Sequence, residues 1–223
     1  MKTIRYIFEF LFIITFFFIF KIIGYKSASN LGEIIGKKIG PFFRSKSKIY
    51  ENLKSSKIGN SEFERKNIIK CMWGNYGRIL SEYVFLKQFR NNNLKDFFKI
   101  NGNEILEKIK INNEKVVFIS GHFNNFELMA MEIEKAGVNL CAIYRPLNNP
   151  FLNLVMEKIR KNYICKYQIK KGRSGTRNLI DLFKKNFSVA LMIDQRVSEG
   201  ETIKFFERPA KTTTIPAQLV KKY

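Results

Sequence analysis

The stretch that decides the fold is Val116-Val117-Phe118-Ile119-Ser120-Gly121-His122-Phe123-Asn124-Asn125-Phe126-Glu127. An apolar run of strand length is followed by a Gly-His pair, two asparagines and an acidic residue that opens a helical pattern. Buried strands of parallel sheets are continuous apolar runs of this kind, and a second one, Ser188 to Ile193, leads into Asp194-Gln195. The stretch therefore predicts a strand, a turn and a helix of an α/β fold, with His122 just beyond the end of the strand.

His122 is the only histidine in the chain. Imidazole is the side chain best suited to reversible proton transfer near neutral pH, so His122 is a candidate general base. If Asn124 or Asn125 caps the following helix, Glu127 lies in its first turns. We then expect Glu127 to contact His122, hold its tautomer and stabilise its protonated form. Such a base activates a substrate hydroxyl directly, without a serine or cysteine nucleophile. The alternative is a histidine with a structural role only.

From Asn101 onward, apolar runs alternate with helical patterns as in consecutive βαβ units. Strands are predicted at 115–119, 138–144, 163–169 and 188–193, with a last extended piece at 202–206. Helices are predicted at 102–111, 125–136, 150–162 and 176–185. The predicted fold class is α/β, with a mostly parallel central sheet flanked by helices and an amino-terminal membrane-anchor helix.

Polar groups follow three of the predicted strands, in Gly121-His122, Tyr144-Arg145-Pro146 and Asp194-Gln195-Arg196. Ligands of open α/β sheets bind beyond the carboxyl ends of the strands, so these groups are expected to converge on one site. The planar guanidinium of Arg145 suits a substrate phosphate, unless it is simply an exposed residue at the start of a loop. Asp194 is predicted to orient Arg145 or Arg173 or a substrate hydroxyl, or else to cap a helix or a turn. The basic loop 170–175, which contains Arg173, precedes a helix whose amides suit an anion.

The segment from Ile4 to Ile23 carries only three charges, at Arg5, Glu9 and Lys21. As a helix it is about 30 Å long, which is close to one hydrocarbon thickness. We predict an uncleaved anchor, either fully crossing or half-inserted. Basic residues are more frequent after it than before it, which predicts a protein body on the cytoplasmic face. The expected organisation is an anchor at 1–26, a helical collar at 27–100 and an α/β core at 101–223.

The chain contains 40 Lys and Arg against 19 Asp and Glu, a formal net charge of +21. This charge favours anionic partners, such as nucleic acid, anionic lipid, a phosphorylated substrate or an acidic carrier protein, unless it reflects compositional bias. Three scattered cysteines and one histidine argue against a structural zinc site. Cys141 is predicted to be a small buried apolar residue, and the cysteine pattern suits a reducing compartment.

Taken together, these blocks resemble the bacterial lipid A biosynthesis acyltransferases, the lauroyl/myristoyl late acyltransferases of the wider lysophospholipid acyltransferase group. The His-x-x-x-x-Asp/Glu motif of that family corresponds to His122 and Glu127, with Asn124 and Phe126 where the family has glycine and tryptophan. Further blocks follow in the family's order: Tyr144-Arg145-Pro146, Arg173-Ser174-Gly175, Asp194-Gln195 and Phe205-Phe206-Glu207-Arg208-Pro209-Ala210. Family members continue well past Tyr223, so we expect a carboxyl-terminally truncated member.

The resemblance implies an O-acyltransferase of lipid A and lipopolysaccharide biosynthesis in the bacterial inner membrane, with its catalytic domain on the cytoplasmic face. His122 would be the base and Glu127 its orienter. The acyl chain would pass from an acyl carrier protein thioester to a hydroxyl of a lipid A precursor or related phosphoglycolipid. The residues implied to bind substrate are Asn125, Arg145, Arg173, Asp194 and Gln195. Backbone amides near Asn124 and Asn125 would receive the oxyanion. No metal, cofactor or nucleic acid is implied, and anionic lipids of the inner membrane are expected partners.

Other functions stay open at the level of sequence. The acceptor can be another lysolipid or glycolipid, because the same His/Glu pair would serve it. A function of a different class is a non-catalytic, basic, membrane-tethered protein that binds by charge alone. Its binding would fall steeply with salt and would not depend on His122. A catalytically inactive homologue that keeps the fold is a third possibility.

Overall fold

The computed structural model describes residues 2–195 and 197–223. Its amino-terminal part is helical, with α1 (Lys2–Ile23), α2 (Tyr25–Ile39), α3 (Lys46–Ser55), α4 (Glu62–Glu82) and α5 (Leu86–Arg90). Gly24 has a φ of 80° and separates α1 from α2, because glycine adopts positive φ without steric cost. Among the described residues, α1 is the one helix long and apolar enough to cross a membrane.

The sheet predicted from the apolar runs is present and fully parallel. Its strands are β1 (Val117–Ser120), β2 (Leu140–Tyr144), β3 (Tyr167–Lys170) and β4 (Ser188–Met192), in the order β1-β4-β2-β3. The helices around it are α6 (Asn103–Ile111), α7 (Glu127–Lys135), α8 (Pro150–Tyr163) and α9 (Arg173–Lys184). The predicted α/β class, with a parallel sheet flanked by helices, is confirmed.

The core of the sheet lies between its strands, α9 and the carboxyl-terminal helix α10 (Ile215–Lys222). Its buried members are Cys141, Ile169, Leu179, Phe183, Val189, Leu191 and Leu219. Cys141 is fully buried and its thiol is free, as predicted. Burial raises the pKa of this thiol to about 12, so it is protonated at neutral pH.

The last part of the chain forms a hairpin and a helix. Strands β5 (Glu201–Phe205) and β6 (Arg208–Thr212) pair with each other, and α10 (Ile215–Lys222) follows. Only the first of these two strands was expected from the sequence. Phe206 and Glu207 form the turn with φ values of 48° and 60°, so the hairpin accepts Glu207 in the left-handed backbone region.

The described chain divides into two compact units. One consists of residues 2–11, 86–195, 197–201 and 212–223, and the other of residues 12–85 and 202–211. The second unit contains a close helix pair, α2 and α4. A Cβ atom on Gly77 would lie 1.9 Å from the carbonyl oxygen of Gly32, so a side chain there would prevent this packing. The predicted division into 1–26, 27–100 and 101–223 stays a prediction.

Candidate active site

The sheet order brings His122 and Asp194 together. Strands β1 and β4 are parallel neighbours, and Ser120 is in register with Met192. The pairing continues one step further, because the Ile193 N–H donates to the Ser120 carbonyl at 3.0 Å. His122 and Asp194 each lie two residues beyond the Ser120–Met192 pair. Their side chains therefore emerge at the same carboxyl edge of the sheet.

Asp194 binds His122 at two points. Its Oδ1 lies 2.7 Å from the imidazole Nδ1, and its Oδ2 accepts the His122 backbone N–H at 2.7 Å. These two contacts fix the ring and its backbone to one carboxylate. The His122 side chain is 25% exposed, so the imidazole is anchored but still accessible to a substrate.

Gln195 occupies the other side of the imidazole. Its amide nitrogen Nε2 lies 3.2 Å from Nε2 of His122. An amide nitrogen donates, so Nε2 of the ring accepts this hydrogen bond. The ring proton is then on Nδ1, which donates a hydrogen bond to Asp194. This tautomer leaves the Nε2 lone pair as the proton-accepting position.

The turn after β1 depends on Gly121 and Asn124. A Cβ atom on Gly121 would lie 2.7 Å from the Phe123 ring and 3.2 Å from Oδ2 of Asp194, so a side chain there would displace the exposed Phe123 ring and crowd the carboxylate. Asn124 has a φ of 42°, in the left-handed region that asparagine tolerates better than most residues. The turn ends at Phe126, whose ring packs edge-on against His122 with centroids 4.7 Å apart.

Glu127 is bound to Arg160, whereas the sequence predicted a pairing with His122. The Arg160 side chain in α8 donates from Nε at 2.9 Å and from Nη2 at 2.8 Å to Oε1 of Glu127. Neither asparagine of the turn is the N-cap residue of α7, because the helix begins at Glu127 and its N-cap residue, Phe126, makes no side-chain cap bond. Glu127 is thus the first residue of the helix and its carboxylate is held by α8.

The two carboxylates differ in their electrostatics. Burial raises the pKa of Asp194, but hydrogen bonds from the His122 backbone and imidazole outweigh burial, and the net pKa is lowered. Burial is the larger influence on Glu127 and raises its pKa, even though Arg160 acts in the opposite direction. Asp194 is therefore the carboxylate tuned to stay ionised beside the imidazole.

The other predicted substrate-binding residues surround the carboxyl edge of the sheet. Arg145 is exposed in the loop after β2, and Arg173 is the exposed first residue of α9. Asn125 is half-buried in the turn before α7. Arg196, the third residue of the polar strand end, lies outside the described residues. The described residues contain no group of three or more His, Cys, Asp or Glu side chains that could hold a metal ion.

Arg160 is the residue of this region that sequence analysis missed. Besides its bonds to Glu127, its guanidinium carbon lies 5.7 Å from the centre of the Tyr144 ring. Tyr144 in turn donates its hydroxyl to Glu157 at 2.5 Å. No motif marks Arg160, which lies in an ordinary helical pattern with other basic residues. A buried carboxylate needs a cation beside it, and this requirement of Glu127 is what could have pointed to a basic residue such as Arg160.

An accessible imidazole anchored by a carboxylate, at the carboxyl edge of a parallel sheet, has the form of an α/β enzyme site with a histidine base. The comparisons with known proteins agree with this class. The chain belongs to the bacterial lipid A biosynthesis acyltransferase family, whose model matches residues 1–223.

Two curated relatives are similar to the chain: the lipid A biosynthesis palmitoleoyltransferase of Escherichia coli (strain K12) and the lipid A biosynthesis acyltransferase of Shigella flexneri. Each is 27% identical over 172 residues, which cover 74% of this chain and 53% of the relative. The chain thus spans about half the length of the curated relatives it matches.

Proposed function

We propose that the protein is a membrane-associated O-acyltransferase that moves a fatty acyl chain onto a hydroxyl of a lipid A precursor. Membership of the lipid A acyltransferase family supports acyl transfer, a lipid A acceptor and a bacterial membrane location. The observation that carries the chemistry is the double contact of Asp194 with His122, which gives the imidazole a fixed tautomer with the lone pair on Nε2.

His122 is the base in this proposal. Its Nε2 takes the proton of the acceptor hydroxyl while the oxygen attacks the thioester carbonyl of the acyl donor. The tetrahedral intermediate then collapses, the C–S bond breaks, and the proton returns from Nε2 to the leaving thiolate. Asp194 stabilises the imidazolium through Nδ1, so it takes the role that the sequence alone gave to Glu127. Backbone amides near Asn124 and Asn125 are the proposed oxyanion donors.

Glu127 has a positioning role in the proposal. The ion pair with Arg160 holds the first residue of α7 and, through it, the turn that carries His122. Gln195 shields the Nε2 position until the acceptor hydroxyl replaces its amide. Arg145 and Arg173 are proposed to bind phosphates of the acceptor or of the carrier, because both are exposed cations at the carboxyl edge of the sheet.

The donor in this proposal is an acyl carrier protein. Such carriers are acidic, and a chain of net charge +21 attracts an acidic partner at long range. The catalytic face is proposed to lie on the cytoplasmic side, where carrier and precursor are available.

The test is an acyl-transfer assay with membranes that contain wild-type protein or His122→Ala. The substrates are radiolabelled acyl carrier protein, or the matching coenzyme A thioester, and a tetra-acylated lipid A precursor. We expect transfer by the wild type and a loss of about 10²- to 10⁴-fold in the variant, because a general base contributes that much. Transfer that is unchanged by the substitution, or absent from the wild type with both donors, would refute the proposal.

The assay also separates enzyme from binding protein. A basic binding module would bind lipid with an affinity that falls as the salt concentration rises. It would show no acyl transfer, and His122→Ala would not change its binding. The matched control is Lys57→Ala, which removes one exposed cation in the other compact unit and should leave transfer unchanged.

A further inference from the structure

The outer face of α1 forms a long apolar surface. Six of its side chains are between 54% and 68% exposed, and we call them the apolar stripe: Ile4, Phe8, Leu11, Phe12, Phe18 and Ile22. Their spacing places them on one side of the helix from its first turn to its last. At 1.5 Å per residue, the helix that carries this stripe is about 33 Å long.

The opposite face of α1 is covered by protein near its start. The Asn149 side chain donates to the Tyr6 carbonyl at 2.8 Å and to Glu9 Oε2 at 3.3 Å. Phe10 packs against Phe151 at the start of α8, with ring centroids 6.0 Å apart. These contacts attach the first turns of α1 to the segment that follows β2, at the carboxyl edge of the sheet.

The same face is covered near the end of the helix. Phe17 is 8% exposed and Phe20 is 3% exposed. The ammonium of Lys21 donates to the Val84 carbonyl at 3.3 Å. One face of α1 is therefore in contact with protein along most of its length, and the other face carries the apolar stripe.

Chain topology argues against a crossing by α1. Residues 2–11 share a compact unit with residues 86–201, so both segments belong on one side of a bilayer. A crossing between residues 11 and 23 would require a second crossing before residue 86. Within the described residues, α1 alone is long and apolar enough to cross a membrane. These residues therefore contain no second helix that could make the return crossing.

We infer that α1 lies in the plane of one leaflet and rests on an anionic bilayer through its apolar stripe. Helices of this kind bury an apolar face at the boundary of headgroups and acyl chains and keep their cations at the headgroups. Lys2 and Arg5 at one end of α1 and Lys26 just beyond the other end supply cations, and the chain as a whole carries +21. A polar cavity of about 560 Å³ opens beside the first turns, with Lys2, Arg5 and Asn148 in its lining.

This arrangement has a consequence for substrate entry. The first turns of α1 and the base His122 both lie at the carboxyl edge of the sheet. A lipid acceptor would then reach His122 from the leaflet, without leaving it. The inference deepens the membrane association in the proposed function, but it does not depend on the proposed chemistry.

The test is a depth measurement along α1. Cys71 is exposed, whereas Cys141 and Cys165 are buried, so a Cys71→Ser background accepts one new cysteine for a nitroxide label. Labels at positions 8, 11, 18 and 22 are measured by collision with oxygen and with a water-soluble nickel chelate. The full chain is reconstituted in vesicles of phosphatidylethanolamine and phosphatidylglycerol.

A helix in the plane predicts one common depth at all four positions. A crossing helix predicts a gradient of about 1.5 Å per residue on each side of the bilayer midplane, so that the labels near the middle of the helix are the deepest and those toward both ends are shallower. That gradient, or labels that are fully accessible to the nickel chelate, would overturn the inference. Loss of acyl transfer plays no part in either outcome, so failure of the inference and failure of the proposed function stay distinguishable.

A binding series gives a second, independent measurement. Phe8→Asp and Phe18→Asp should each reduce flotation with these vesicles by about 10- to 100-fold, because each replaces an exposed phenylalanine that the bilayer would bury. The matched control is Ile111→Asp at the end of α6, where the isoleucine is 80% exposed. Circular dichroism establishes that each variant is folded. Equal flotation of all three variants and the wild type would contradict the inference.

Discussion

Asp194 and Glu127 are two carboxylates near the same histidine, and they differ in almost every physical respect. The Asp194 side chain is 37% exposed and contacts His122, whereas the Glu127 side chain is 10% exposed and contacts Arg160. The pKa of Asp194 is lowered and that of Glu127 is raised. Asp194 is distant in sequence from His122 and Glu127 is close to it. The comparison shows that neighbouring strands, rather than neighbouring residues, supply the partner of this imidazole.

The largest effect is expected at the buried ion pair. Arg160→Met leaves the Glu127 carboxylate buried without its cation and should lower the free energy of unfolding by about 3–5 kcal/mol. The double variant Glu127→Gln/Arg160→Met removes both charges and should recover most of that loss. Denaturant unfolding of the three proteins measures both effects. A double variant as unstable as Arg160→Met would contradict the assignment of Glu127 to a structural ion pair.

The next effect concerns catalysis at Asp194. Asn at position 194 has an NH₂ donor in place of one carboxylate oxygen, so either the His122 backbone N–H or the Nδ1–H loses the acceptor that it has in Asp194. We expect Asp194→Asn to lower kcat for acyl transfer by about 10²- to 10³-fold with little change in KM. The control is Asp181→Asn, on the same domain but away from the site. Activity within about threefold of the wild type would leave Asp194 without a role in orienting the base.

The two carboxylates should also have opposite effects on stability as pH changes. The folded pKa of Asp194 is below its unfolded value of about 3.9, so its contribution is present above that pH and is lost as pH falls through the folded value. The folded pKa of Glu127 is above its unfolded value of about 4.3, so its contribution declines as pH rises from there through the folded value.

Unfolding of the wild type, Asp194→Asn and Glu127→Gln over an acidic pH series checks these signs. The stability difference between the wild type and Asp194→Asn should shrink toward lower pH. The free energy of unfolding of the wild type, relative to that of Glu127→Gln, should increase as the pH falls. If both stability differences changed in the same direction with pH, the opposite pKa shifts of Asp194 and Glu127 would be contradicted.

The smallest effect is expected at Gln195. Its amide competes with the acceptor hydroxyl for Nε2, so Gln195→Ala should lower the KM for the acceptor by about two- to tenfold, the value of one hydrogen bond. Steady-state kinetics at saturating donor measures this change. A loss of more than about a hundredfold in kcat/KM would instead place Gln195 in direct contact with the substrate, as the sequence resemblance implies.

Much of the fold follows from local sequence. The apolar runs before His122 and before Asp194 predict two buried strands, and both are present as β1 and β4. The predicted end of the helix at residue 136 agrees with α7, which is followed by Gly137 with a φ of 91°, a backbone conformation that favours glycine. The polar strand ends were also expected to converge. These features depend on composition and spacing within short segments, which a sequence displays directly.

The partner of His122 could not be predicted in this way. It depends on β4 lying beside β1, and strand order is set by how the helices cover the sheet. A spacing of five residues favoured Glu127, but the helix starts at Glu127 itself and its carboxylate is directed to Arg160. The second strand of the terminal hairpin was missed because Arg208-Pro209-Ala210-Lys211-Thr212 has no apolar alternation.

The most direct test of the central claim is the nitrogen spectrum of the single imidazole. The chain has one histidine, so protein labelled with ¹⁵N-histidine and purified without a histidine tag gives one set of ring signals. The contact with Asp194 predicts the tautomer protonated at Nδ1, unchanged in Glu127→Gln and lost in Asp194→Asn. A tautomer that survives Asp194→Asn and is lost in Glu127→Gln would contradict the account.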